Sequence, residues 1–143
     1  MAFHSTAGRV GFAAILMAGL ALTAPVLAQD AATPKVSFTA AQVSSGAAEY
    51  KRSCLDCHGA NLNDGEFGGP PLKGTSFQEH YFGTTVDALY GFISAAMPPD
   101  RPGRLSPETY AALTAFILSK NGIVPGGAAL PTDPDAQGEL MVE

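Results

Sequence analysis

The residues most able to do chemistry stand together at Cys54-Leu55-Asp56-Cys57-His58, which holds both cysteines of the 143-residue chain. Two thiols three positions apart, followed at once by an imidazole, suit four chemistries. The pair can cycle between dithiol and disulfide. It can form a structural disulfide in an oxidising compartment. With a fourth ligand, two thiolates and an imidazole can hold zinc. Or both thiols can add to the two vinyl groups of one porphyrin, the pattern of c-type haem attachment, while the adjacent imidazole gives a nitrogen to the iron.

The rest of the chain weighs these readings. Thioredoxin-like redox chemistry needs βαβ strands, and no strand pattern is present. A disulfide across so short a loop restrains the unfolded chain very little. For zinc, His80 is the only other histidine beyond the N-terminal segment. Haem attachment, which in bacteria takes place outside the cytoplasm, gains support from residues 1–28. Arg9 is the one charge there, Val10 to Ala24 is nearly continuous apolar or small, Pro25 breaks the run, and Ala28 ends it. That is the order of a cleavable secretory signal. The run is shorter than a membrane span, and the arginine pair of twin-arginine export is absent. The expectation is a periplasmic protein with no span once processed, an uncleaved anchor being the alternative.

Composition bounds the remainder. The length allows one domain, and 15% charged residues do not make a disordered tail. The formal charge is −5, or −6 for residues 29–143 with seven bases and thirteen acids, and no basic stripe offers itself to nucleic acid. Residues 29–143 hold 17 Leu, Ile and Val with six Phe and four Tyr, against thirteen Gly and ten Pro. So thin a core suits a fold that recruits something extra.

An iron held by His58 needs a ligand on its other face. Met97, 39 residues after His58, follows a helical pattern and is stiffened by Pro98-Pro99. Met141 and His80 are the alternatives. The imidazole's second nitrogen needs an acceptor to fix its orientation, and a carbonyl in Gly69-Pro70-Pro71-Leu72 is expected there, with Leu72 on the ring. Pocket residues are expected at Leu62, Leu72, Phe82, Leu89, Ile93 and Leu105.

The elements that must position these groups are helices. Thr39-x-x-Gln42 fits a capping box, and Val43, Ala47, Tyr50 and Cys54 follow on one face. Gly46 inside this helix suggests a close helix crossing, which would offset its poor helix propensity. Gly59 to Gly74 reads as a long loop, usually functional or packed on something. Thr85 can cap a helix over 86–94, which Met97-Pro98 ends. Ser106-Pro107-Glu108 starts another, with Tyr110, Leu113, Phe116 and Ile117 as its stripe and Asn121-Gly122 as its stop. The predicted boundaries are a signal at 1–28, a mobile lead-in at 29–38, a folded domain at 39–122 and an extended tail at 123–143.

These residues resemble a class I cytochrome c over about Thr39 to Gly122. The likeness rests on Gly46 and Tyr50 before Cys-x-x-Cys-His, on Gly69-Pro70-x-Leu72-x-Gly74, and on Met97-Pro98 before a C-terminal helix. It implies an all-α cytochrome c fold, three to five helices around one covalently bound haem c, with long Gly/Pro-rich loops. It also implies that Gly46 and Tyr50 meet Leu113 and Phe116 where the first and last helices cross. Cys54 and Cys57 would attach the haem, and His58 and Met97 would ligate its iron. The segments Met97 to Gly103 and Leu105 to Glu108 are similar to small cytochromes associated with bacterial quinoprotein (PQQ) dehydrogenases. A tryptophan expected before the second helix is missing, and Tyr81 or Phe82 stands there.

The expected function is electron transfer without chemistry on a substrate. The expected donor is a dehydrogenase, a quinoprotein among the candidates, and the acceptor an oxidase or another cytochrome. The protein would act as a monomer or in transient complexes. A gas-binding haem protein with Met97 detached and a thiol–disulfide oxidoreductase are the competing readings.

Overall fold

The computed structural model describes Met1 and residues 34–143. The rest of the expected signal segment, and residues 29–33 of the expected lead-in, lie outside the described residues. Among those described, six helices follow in order: α1 (Ala40–Ser53), α2 (Leu55–His58), α3 (Thr75–Tyr81), α4 (Val86–Ala96), α5 (Pro107–Lys120) and α6 (Pro134–Gly138). No strand occurs among them, only isolated bridges joining Lys35 and Thr85 to Met141. The all-α class is as expected. The short α2 and α6 take the helix number past the expected three to five.

Local chemistry sets the helix starts. At α1 the Thr39 hydroxyl accepts from the Gln42 amide at 3.2 Å, and the Gln42 side chain accepts from the Thr39 amide at 3.1 Å. Together they satisfy two of the donors a helix leaves unpaired. At α5, Ser106 accepts from the Thr109 amide at 3.3 Å with Pro107 in the first turn. Thr85 precedes α4 without a capping bond to its amides, its hydroxyl donating instead to Asp87.

α1 crosses α5 at Gly46. A Cβ there would collide with the Ala112 carbonyl and press on the Cβ of Phe116, so only glycine lets the backbones approach this closely. Tyr50 completes the crossing with its ring 5.2 Å from that of Phe116. Phe116 lies where expected, but Ala112 takes the place expected of Leu113. Ala112 and Phe116 are four apart and share one face of α5, while Leu113 lines a cavity. Residues Tyr110 to Leu118 are all buried, because α5 is covered by α1 and by α4. A one-sided stripe understates such a helix.

Residues 34–38 of the expected mobile lead-in, and the expected extended tail, pack on the domain. Val36 donates to Met141 at 2.8 Å, and Met141 to Pro34 at 2.9 Å. Gly83 and Val86 donate to Val142 and Leu140, and Val142 donates back to Thr84. Residues 140–142 thus form a strap between the chain's first described segment and the start of α4. The physical reason is burial: Phe38 and Val142 are fully buried and Leu130 nearly so. Val142→Ala is expected to lower stability by about 2 kcal/mol. Urea midpoints check this, and an unchanged midpoint would remove the strap from the core.

Candidate functional site

α1 ends and α2 begins at Cys54, whose backbone is not helical (φ −128°, ψ −25°). One helical turn then places Cys54 and Cys57 at i and i+3, on the same side. Gly59 terminates the turn at φ +79°. No disulfide joins Cys54 and Cys57. Burial pushes the Cys54 thiol up to about 11, the nearby Glu49 charge adding to it and Arg104 opposing it. The thiol is therefore protonated at neutral pH.

Glu49 is itself buried, 6% exposed. Burial works against its charge, but the Ser53 hydroxyl and the Arg52 guanidinium donate to it and hold its carboxyl below the usual range. Arg104 donates to Ser53 at 2.7 Å. This network ties the last turn of α1 to the loop that follows Met97.

The 59–74 loop folds back over α2. Gly69 donates to the Cys57 carbonyl at 2.8 Å, and Phe67 to that of Asp56 at 3.3 Å. A Cβ on Gly69 would lie 2.7 Å from the Cys57 oxygen, so glycine is required for the close approach. The next residue carries the key contact. His58 is 7% exposed, and its Nδ1 donates to the Pro70 carbonyl at 2.8 Å. A carbonyl only accepts, so Nδ1 carries a proton, and in the neutral ring Nε2 is then the nitrogen with the lone pair. This is how a metal-binding imidazole is oriented and made more basic.

Met97 caps the C-terminus of α4 and donates to Ile93 at 3.0 Å. Its carbonyl accepts from the Tyr110 hydroxyl at 2.9 Å. Tyr110 was expected only as a stripe residue. Its second role, fixing the backbone of Met97, depends on a phenol reaching across from α5 and leaves no mark in the periodicity.

Cys54, Cys57, His58, Pro70, Leu72, Leu89, Ile93 and Met97 all line one cavity of about 330 Å³. Three expected pocket residues, Leu62, Phe82 and Leu105, do not line this cavity, Phe82 and Leu105 packing against the core instead. Phe77 and Tyr81 hold the place expected of Phe82. They are four apart on α3 and share a face, whereas Phe82 caps the helix in extended backbone. Leu113 and Ile117 add the wall from α5. Leu62 is buried in the core beneath the 59–74 loop. Of the alternatives to Met97, Met141 is held in the strap. His80 lies at the cavity and is exposed to solvent.

Paired thiols, an imidazole with its outer nitrogen free, a thioether and apolar walls suit a covalently attached haem, and with this helical fold they define a c-type cytochrome domain. The family model described as cytochrome c oxidase, cbb3-type, subunit III matches residues 41–117. The chain belongs to that family. No curated protein and no solved structure gives a significant match. Membership makes it an electron-transfer haem protein rather than an enzyme acting on a substrate. Its haem is covalently bound and its partners are redox proteins. No helix among the described residues is long and apolar enough to cross a membrane.

Proposed function

We propose that this chain is a periplasmic single-electron carrier with one haem, attached through Cys54 and Cys57 and ligated by His58 and Met97. The observation that carries the reading is the His58–Pro70 hydrogen bond, which leaves Nε2 available on the same cavity as Met97. The haem, when bound, supplies the exchange between ferric and ferrous iron. The chain's own residues do the rest. Pro70 holds the imidazole in one tautomer, Tyr110 fixes the backbone at Met97, and Leu72, Leu89, Ile93, Leu113 and Ile117 keep water out. Held by His58 and Met97, the iron would have a higher potential than with two nitrogen ligands, because a soft thioether favours the ferrous form. Both residues together would leave it no site for oxygen chemistry.

The donor in this reading is a dehydrogenase, a quinoprotein on the likeness of residues 97–108, and the acceptor an oxidase or another cytochrome. Phe92, half exposed, stands at the cavity and offers an apolar contact where the haem edge would meet a partner. The net negative charge suits a basic partner surface, steered by charge and weakened by salt. Such contacts are small and short-lived.

The visible spectrum tests the assignment. The oxidised protein is expected to show the weak far-red band of a thioether bound to ferric iron. Met97→Ala is expected to lose it and to let the reduced form bind carbon monoxide, while Met141→Ala and His80→Ala keep it. A band lost in either of the latter, but not in Met97→Ala, would reject Met97. Rapid carbon monoxide binding by the unaltered protein would favour a gas-binding role. A colourless protein with a titratable thiol pair would favour thiol redox chemistry.

A further inference from the structure

We infer that Asn121 is the positioning residue of the proximal site, holding the loop whose carbonyl orients His58. The inference rests on the haem reading above. Asn121 caps α5 and is 7% exposed. Its Nδ2 donates to the carbonyls of Leu72 and Ile117, both at 2.9 Å, and its Oδ1 accepts from the Gly74 amide at 3.1 Å. The orientation of the amide is fixed by its neighbours, because a flipped group would set oxygen against two carbonyls.

The bonds matter because of the residues they hold. Pro70 and Pro71 have no N–H, so the stretch that presents the acceptor to His58 cannot anchor itself through its own donors. Gly69 anchors it on one side through the Cys57 carbonyl, and the remaining fixed points come just after it. Leu72 donates to the Leu62 carbonyl at 2.6 Å, its own carbonyl takes the Asn121 amide, and Gly74 closes on Asn121 Oδ1. Gln78, on α3, donates to the Asn121 carbonyl at 3.5 Å. One side chain thus connects α5 to the loop two residues from the Pro70 oxygen. A buried polar group with its partners satisfied imposes a single geometry, and losing it leaves those partners unpaired. If the loop relaxes, the His58–Pro70 bond lengthens, the imidazole becomes a weaker donor to iron, and the ferric form loses stabilisation.

The test uses the haem-loaded full chain. Asn121→Leu removes all three side-chain bonds. Asn121→Asp keeps an acceptor for Gly74 but turns an anionic oxygen toward two carbonyls. Leu130→Ala, at a buried residue of the 123–143 segment, is the control for lost stability. Exchange of the His58 ring Nδ1 proton is followed by NMR in the reduced protein, together with the midpoint potential. Asn121→Leu is expected to speed that exchange at least tenfold and to raise the potential, and Asn121→Asp to speed the exchange as well, its added negative charge opposing the rise in potential. Leu130→Ala is expected to change neither. Should Asn121→Leu fail to fold, Asn121→Asp carries the comparison. Haem-bearing Asn121 variants with unaltered exchange and potential overturn the inference, as does an equal shift in Leu130→Ala. An unaltered chain that carries no covalent haem overturns the haem reading itself, which the spectrum shows before any variant is made.

Discussion

Gly46→Ala is expected to lower stability by about 1–3 kcal/mol, and Gly46→Val by more. The ordinary effect of placing alanine in a helix is the opposite, a gain of about 0.5–1 kcal/mol over glycine. The sign reverses because the added Cβ would collide with the Ala112 carbonyl, which is backbone and cannot swing aside, and would crowd Phe116. Relief requires α1 and α5 to separate, disturbing the Tyr50–Phe116 pair and the Tyr50 hydrogen bond to the Gly59 carbonyl. Gly91 supplies the comparison. It also lies inside a helix, α4, but a Cβ there meets nothing within 4 Å. Gly91→Ala is therefore expected to be neutral or mildly stabilising. Urea midpoints of the two alanine variants should move in opposite directions, and equal shifts would mean that the crossing is looser than the structure shows.

Cys54→Ala with Cys57→Ala is expected to abolish covalent haem and, with it, fixed tertiary packing. The cavity explains why attachment and folding are linked. About 330 Å³ lies between Leu72, Leu89, Ile93, Leu113 and Ile117, and no side chain of the domain fills it. At about 24 cal/mol per Å³, an unfilled space of that size would cost up to about 8 kcal/mol, comparable with the whole stability of a typical domain. Water entering at the mouth lessens the cost but leaves apolar walls wet. The variant should keep much of its far-ultraviolet helical signal and lose its near-ultraviolet aromatic signal, the pattern of a compact but unpacked state. A native near-ultraviolet spectrum in the variant would show that the helices hold the cavity open without help.

Much of the site was legible because its signals are local. The Cys54–His58 run, the Thr39–Gln42 box and the Ser106-Pro107-Glu108 start each lie within a few residues. Gly46 was readable because glycine inside a helix calls for a reason. The missing features depend on distance. α3 spans seven residues, begins at Gly74 without a side-chain cap, and shows only Phe77 and Tyr81 on its inner face, too little to reveal a period. Phe82 was therefore expected at the cavity, where Phe77 and Tyr81 stand. Asn121 reads as a helix stop, which it is, but its partners Leu72 and Gly74 lie more than forty residues away. The Gly/Pro-rich composition around Leu130 and Val142 suggests extended chain. Leu130 is held by the Gln42 side chain, and Met141 and Val142 by backbone pairing with Pro34, Val36, Gly83 and Thr84; the local sequence encodes neither.

That strap has a consequence for the order of assembly. Lys35 and Met141 are about a hundred residues apart along the chain, and bringing them together closes a loop over every described helix. The entropy of such closure is spent before the contact returns anything, so pairings of this span form late. The α1–α5 crossing and the haem cavity need only residues up to about Asn121. Residues 140–142 then act as a latch, drawn across after the rest has condensed. Stabilising the latch should slow the protein's opening more than it speeds its folding.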